Sequence, residues 1–231
     1  MSQPWHEARA EGDVAPYAVT LGGKPVRTPT KRIVTAPTRA LAEAIAAEWR
    51  AQGDKIDPVS MPMTRYMNSI LDTVADHRAN IVEQVAAYGG SDLLCYRAEH
   101  PQALVARQAA AWDAPLTWVA QAKGAPMIVT AGIIAVEQPT ASLAALHSAV
   151  AQHDDAPLAA LHDLTAFSGS LILALAISDG HMDVDAAWIA SRVDDDWQIE
   201  QWGEDSLATK AAEDKYAAFT AAARLLTLSR E

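Results

Sequence analysis

The spacing of apolar and polar residues changes character once, near residue 36. Before that point, short β-prone runs alternate with turn formers. Tyr17-Ala18-Val19-Thr20-Leu21 leads into Gly22-Gly23 and then Lys24-Pro25-Val26-Arg27-Thr28. Paired glycines supply the positive φ angles of a two-residue turn, so a hairpin is predicted. Pro25 has no backbone donor, which places its arm at a sheet edge. Pro29 marks a further turn, and Arg32-Ile33-Val34-Thr35 is a third short strand.

From Pro37, a residue suited to a first helical turn, the period becomes helical. Leu41, Ile45 and Trp49 recur every fourth residue on one face, and Gly53 is read as the stop. Met63, Met67, Ile70 and Leu71 mark a second helix, and Ile81, Val85 and Tyr88 a third, closed by Gly89-Gly90. Leu104 to Lys123 is helical, with Pro115 expected to kink or split it. Met127 to Val136 is apolar and β-branched and reads as one strand or two short ones. Ser142 to His153 and Leu158 to Ile177 are helices, the latter long and apolar with Gly169 inside it. Ile189, Val193 and Trp197 continue the helical spacing, Gly203 interrupts it, and Leu207 to Leu228 is the last helix. The predicted fold is α+β: a small N-terminal β module over residues 1–36, then a mainly helical body over 37–231 with a short strand near 127–136.

Half of the 231 residues are apolar, enough for a sizeable core. The net charge of −11, with no cluster of Lys and Arg, argues against nucleic acid and against an anionic membrane as partners. A single cysteine, Cys95, excludes an internal disulfide and a C-x-x-C pair. Its surroundings, Leu93-Leu94-Cys95-Tyr96-Arg97, predict a buried, inert thiol. The longest uncharged apolar stretch, 164–178, is short of the roughly 20 residues a membrane span needs. The first ten residues lack the apolar centre of a secretory signal. A bacterial cytoplasm is the expected compartment.

Catalytic patterns are sparse. There is no G-x-S-x-G, no Walker loop and no G-x-G-x-x-G, so neither a nucleotide nor another cofactor is expected. Seven histidines are present, but His147 and His153 are six apart, and His162-Asp163 and His181-Met182-Asp183 lack a third ligand, so no metal is expected. The acids Asp194-Asp195-Asp196, Glu200, Glu204-Asp205 and Glu213-Asp214 read as a solvated helical face rather than a glycosidase-like pair.

Several stretches together resemble one family. They are 37–49 (PTRALAEAIAAEW), Met61-Pro62-Met63-Thr64-Arg65, Asp92-Leu93-Leu94-Cys95-Tyr96-Arg97-Ala98-Glu99, Arg107-Gln108 with 111–116 (AWDAPL), Leu171 to Ile177, and Trp197-Gln198-Ile199-Glu200-Gln201-Trp202-Gly203. In order and spacing they are similar to the assembly chaperone of the ATP synthase alpha subunit, found in mitochondria and some bacteria. The Cys-Tyr-Arg and Gln-Ile-Glu-Gln-Trp-Gly segments are the most specific. The resemblance implies a small β domain joined to a larger helical one. It also implies a protein client, the free alpha subunit, bound at the surface a beta subunit later covers. No cofactor, metal, small-molecule substrate or reaction goes with the family, and its eukaryotic members act in the mitochondrial matrix. Many relatives carry an acid four residues after the Trp of the Trp-Gly pair; here that position is Ser206.

Holding a sticky, unassembled subunit calls for a few aromatic or Arg anchors within a polar rim. The client-binding candidates are Glu200, Trp202, Gly203, Glu204 and Asp205, with Trp112 and Arg97. Trp49, Trp112 and Trp202 are candidate anchors, though each reads more readily as core, Trp49 at the end of an amphipathic face most of all; Trp202, ringed by acids, is the better candidate for an exposed site. Two other readings compete: a generic interaction domain with another client, and a hydrolase using the 200–205 acids.

Overall fold

The computed structural model describes residues 3–132 and 134–230. Its chain forms two compact units, one made of Met1–Arg78, Asp154–Ala160 and Arg224–Glu231, the other of Ala79–His153 and Leu161–Ala223.

The first unit is built on an antiparallel sheet. Strands β1 (Ala8–Glu11), β2 (Tyr17–Leu21) and β3 (Lys24–Pro25) lie side by side, and β4 (Thr35–Ala36) also pairs with β2. Gly22 and Gly23 turn the β2–β3 hairpin at φ 56° and 78°, the left-handed region glycine enters without a Cβ penalty. Pro25 faces Thr20 on the outer strand, as its missing donor requires. The predicted strand at 32–35 appears as a bridge from Ile33 to Arg27 followed by β4. Val19, Val26 and Val34 tie these short pieces together through a ring of backbone bonds of 2.8–3.1 Å.

Helix α1 (Arg39–Arg50) packs on β1 and β2. Its stripe of Leu41, Ala42, Ile45 and Ala46 is buried, as are Ala8, Val19, Val34 and Ala36. The cap is Thr38, whose hydroxyl accepts from the Leu41 amide at 3.1 Å, so Pro37 precedes the helix rather than opening it. Helix α2 (Pro62–Ser69) passes through a π turn (Ile70–Val74) into α3 (Ala75–Ala87). His77 leaves helical geometry at φ −120° and ψ 17°, and this kink separates the two helices predicted there. Glu48 secures the start of α2. Its carboxylate accepts from the Met63 amide (2.7 Å) and the Thr64 amide (2.8 Å) and hydroxyl (2.7 Å).

The second unit is helical. Helix α4 (Gln102–Ala122) runs unbroken through Pro115, against the expected split. Strands β5 (Tyr96–Arg97) and β6 (Thr130–Ala131) pair in parallel. The strand expected over 127–136 shrinks to these two residues, with Ile133 outside the described ones. After α5 (Thr140–Ala151), the long helix expected over 158–177 is instead two, α6 (Asp155–Ser168) and α7 (Leu171–Ser178). Gly169 breaks it at φ 72°, and its carbonyl accepts from the Leu93 amide at 3.1 Å. Every residue of α7 is buried. The 189–202 pattern also divides, into α8 (Val184–Ser191) and α9 (Val193–Trp202), before α10 (Ser206–Leu228). Among the described residues, no helix is long and apolar enough to cross a membrane.

Candidate client-binding surface

Three side chains of α4 reach the α8–α9 segment. The Arg107 guanidinium donates to both oxygens of Glu200 at 2.7 and 2.8 Å. Gln108 donates to Asp194 at 2.6 Å, and the Trp112 indole donates to the Ala190 carbonyl at 2.7 Å. Partner numbers fall as α4 numbers rise, so the two segments run antiparallel. Arg107 also lies 5.0 Å above the Trp197 ring, a cation–π contact that fixes the guanidinium plane facing Glu200. Hydrogen bonding from Arg107, reinforced by its charge, holds the Glu200 carboxyl below the usual range. A bidentate Arg pair favours the ionised form.

Trp112 is fully buried. Its ring is covered by the Arg97 guanidinium at 5.1 Å, and its indole N–H is already used. It is therefore a core residue and offers no ring face to a partner, a correction to its place among the client-binding candidates. Arg97 is likewise largely enclosed, its side chain 10% exposed. It donates to the Leu94 carbonyl and to Asp113. Both residues hold the scaffold beneath the surface.

Trp202 is the opposite case, 79% exposed at the end of α9. Val193 anchors α9 inward; at 3.6 residues per turn Trp202 lies about 180° round the helix from it. Gly203 stops α9 at φ 89° and ψ 169°, a region essentially restricted to glycine. Asp205 then caps α10, accepting from the Leu207 amide at 2.8 Å. This short corner leaves Glu200, Trp202, Gly203, Glu204 and Asp205 all exposed. Leu207, 81% exposed, follows on the first turn of α10.

Trp202 borders two grooves. One, of about 470 Å³, is also lined by Arg97, Leu104, Gln108 and Trp197. The other, of about 460 Å³, lies between α9 and α10, with Ile199, Ala208, Ala211 and Ala212 among its walls. The structure thus brings five of the seven candidates together at an exposed corner. Arg107, Gln108 and Asp194 support that corner; the sequence showed Arg107 and Gln108 only as family-like residues and Asp194 as a solvated acid, though it accepts from Gln108 in the structure. Their signal was an Arg-Gln pair one helical turn before a Trp, legible only once the antiparallel α9 is in place.

The Leu93–Arg97 segment is held by a buried acid. Asp92 accepts from the Leu94 amide (3.1 Å), the Ser170 hydroxyl (2.8 Å) and the Ile172 amide (3.0 Å). Burial pushes its carboxyl up to about 6, although these donors oppose the shift. Burial, then the neighbouring Asp92, pushes the Cys95 thiol up to about 12, in keeping with an inert cysteine. Among the described residues no group of three His, Cys, Asp or Glu side chains is arranged to hold a metal.

A family model described as ATP12 chaperone protein matches residues 3–120. Atp12 from Paracoccus denitrificans superposes with a TM-score of 0.95 at 40% identity, over 99% of this chain and 99% of that one. An Asp-to-Lys variant of the same organism's protein gives 0.94 at 41%, over 96% and 95%. The Atu1473 protein of Agrobacterium tumefaciens gives 0.91 at 37%, over 97% and 83%. The family match reaches Glu48, Asp92, Arg97, Arg107 and Trp112, and the whole-chain superpositions extend it through the α9–α10 corner. The chain belongs to the ATP12 chaperone protein family.

Proposed function

We propose that this protein acts in the bacterial cytoplasm as an assembly chaperone of the ATP synthase catalytic head, holding the free alpha subunit at the surface a beta subunit later occupies. The observation that carries the reading is Trp202, a large aromatic presented to solvent at the meeting of two grooves in a chain of the chaperone family. Buried aromatic anchors dominate protein interfaces, and an exposed one on a free chaperone is available for that role. Trp202, Gly203, Glu204 and Asp205 form the contact corner, with Glu200 at its edge. Gly203 sets the angle of the corner and Asp205 fixes the next helix. Arg97 and Trp112 support it from below.

A hydrolytic role for the 200–205 acids finds no support. A general acid needs a desolvated carboxyl with a raised pKa; Glu200 is exposed and shifted downward by Arg107, and Glu204 and Asp205 are exposed. Binding without turnover suits this chemistry better. The test is co-purification with isolated alpha subunit, together with suppression of that subunit's aggregation. Folded protein that neither retains the subunit nor slows its aggregation rules the reading out. Capture of a different polypeptide from the native cytoplasm in its place would favour a chaperone with another client.

A further inference from the structure

The net charge is not shared between the two units. The first carries 12 acidic and 12 basic side chains, the second 17 and 6, so the whole of the −11 belongs to the second. Between Asp179 and Asp214, eleven acids face two bases, Arg192 and Lys210. This stretch contains α8, α9 and the start of α10. Arg192 is already held by Asp195 and Asp196, both at 3.1 Å. Lys210 is paired with Asp214 at 2.8 Å.

Within that field lies the apolar groove between α9 and α10. Ala208, Ala211 and Ala212 share one side of α10, and Ile199 and Trp202 come from α9. The side chains from Ala208 to Lys215 extend over about 10 Å, two helical turns. Charges at its border balance, Asp195 and Asp205 against Arg192 and Lys215, but the surroundings are strongly negative. Both walls are helices whose backbone groups are bonded internally, so neither offers an edge to an added strand. An occupant must satisfy its own backbone, which a helix does and an extended peptide does not. Small side chains on the floor allow its backbone close, and Trp202 supplies a broad apolar contact.

We propose that the α9–α10 groove receives an amphipathic helix of the client polypeptide, seated by its apolar face and flanked by Lys and Arg. The identification of the occupant as client rests on the chaperone reading above. The apolar floor supplies most of the affinity and the acidic surroundings select a basic partner.

The test uses the full chain labelled with 15N, the Trp202 indole resonance being assigned from its loss in Trp202→Phe. Three synthetic peptides are titrated: an amphipathic helix with Leu and Ala on one face and Lys on the other, the same peptide with Glu for Lys, and the Lys peptide with a central Pro. The Lys helix should move the Trp202 resonance to saturation. The Glu version should leave it in place, and the Pro version should bind at least about tenfold more weakly, since Pro breaks the helix. Ala211→Arg, at an exposed position, should fill the groove and abolish the shift; Trp202→Ala, followed through neighbouring amides, serves if that variant does not fold. Equal binding of the Glu or Pro peptide, an unmoved Trp202 resonance, or a shift produced by protein concentration alone overturns the proposal, the last pointing to a second copy of this chain as the occupant. Alpha subunit that binds Ala211→Arg as well as wild type also overturns it while leaving the client reading intact. Alpha subunit that fails to bind wild type, with the Lys helix still seated, removes the client reading and leaves the groove assignment standing.

Discussion

Asp92 shows how one side chain can be pulled in two directions. Burial favours its neutral form, while the Leu94 and Ile172 amides and the Ser170 hydroxyl converge on it as they would on a carboxylate. Its folded pKa of about 6 stands above the ordinary 3.8, so the folded chain binds the proton more tightly. The stability this contributes is fully present below about pH 3.8 and is lost as the pH rises through about 6. Two pKa units correspond to about 3 kcal/mol. Asp92→Asn should flatten the part of the urea-unfolding pH profile between pH 4 and 6. It should also cost about 1–3 kcal/mol at pH 7, because an amide in place of a carboxylate leaves one converging N–H without an acceptor. Cys95 should stay unreactive to a thiol reagent until the chain unfolds, its thiol being buried and shifted to about 12. The burial of Cys95 was legible from its apolar neighbours. The role of Asp92 was not, because its partners Ser170 and Ile172 lie about eighty positions away, and spacing patterns report only local neighbours. Glu48 escaped notice for the same reason: it sits in a helix pattern as an ordinary polar residue, yet it caps a different helix. The acids around Trp202 marked it in the sequence as the tryptophan to expect exposed, and it is, while Trp112 is buried. What separates them is their setting, Trp112 behind Arg97 on α4 and Trp202 at the far side of α9.

At the scale of elements, periodicity located the helices, while chain breaks within continuous apolar runs were harder to see. Leu158 to Ile177 is mostly apolar, interrupted chiefly by His162 and Asp163, so its pattern does not betray a change of direction. The break is made by Gly169 at φ 72°, with Ser170 capping α7 through the Leu173 amide at 3.1 Å. A buried helix on either side of such a joint looks like one longer helix in the sequence. Pro115 misled in the opposite direction. Proline removes one intrahelical bond and crowds the preceding turn, but α4 stays a single helix through Pro115, packed against α7 and α9. The strand expected over 127–136 has the right residue types but is paired only at Thr130 and Ala131. Strand propensity cannot show whether a partner edge exists. Two substitutions test the joints. Gly169→Ala imposes a Cβ on a left-handed backbone and should lower stability by about 1 kcal/mol or more, seen as a lower urea midpoint at unchanged slope. Asp205→Ala removes the α10 cap and should cost about 1 kcal/mol. If it weakens client binding as well, comparison with Glu204→Lys separates the two effects. Glu204→Lys should weaken binding while leaving the thermal midpoint unchanged, since Glu204 lies in the exposed turn between the helices.

Taken whole, the molecule is electrically lopsided along its sequence, and that property was partly in view from the start. The net charge of −11 argues against polyanionic partners, but it does not say where the charge resides. Only the division into two units reveals that one is neutral and the other carries all of it. A chaperone must meet its client before the client meets another copy of itself, so rate matters as much as affinity. A strongly negative surface accelerates encounter with a positive one and repels other acidic proteins, and it does so through a long-range field that salt screens. On the proposed reading, contact at Trp202 and the α9–α10 floor acts at short range and sets how long the complex lasts. The two contributions should therefore separate kinetically. Raising salt from roughly 50 to 500 mM should slow association with the alpha subunit by about tenfold or more, with a much smaller change in dissociation. Neutralising Glu204, Glu213 and Asp214 together, all exposed, should lower the association rate and flatten its salt dependence. Trp202→Ala should do the reverse, leaving the association rate nearly intact and quickening dissociation. Stopped-flow mixing for the first phase and surface-immobilised dissociation for the second distinguish these outcomes. An association rate indifferent to salt would mean that the charge serves solubility alone.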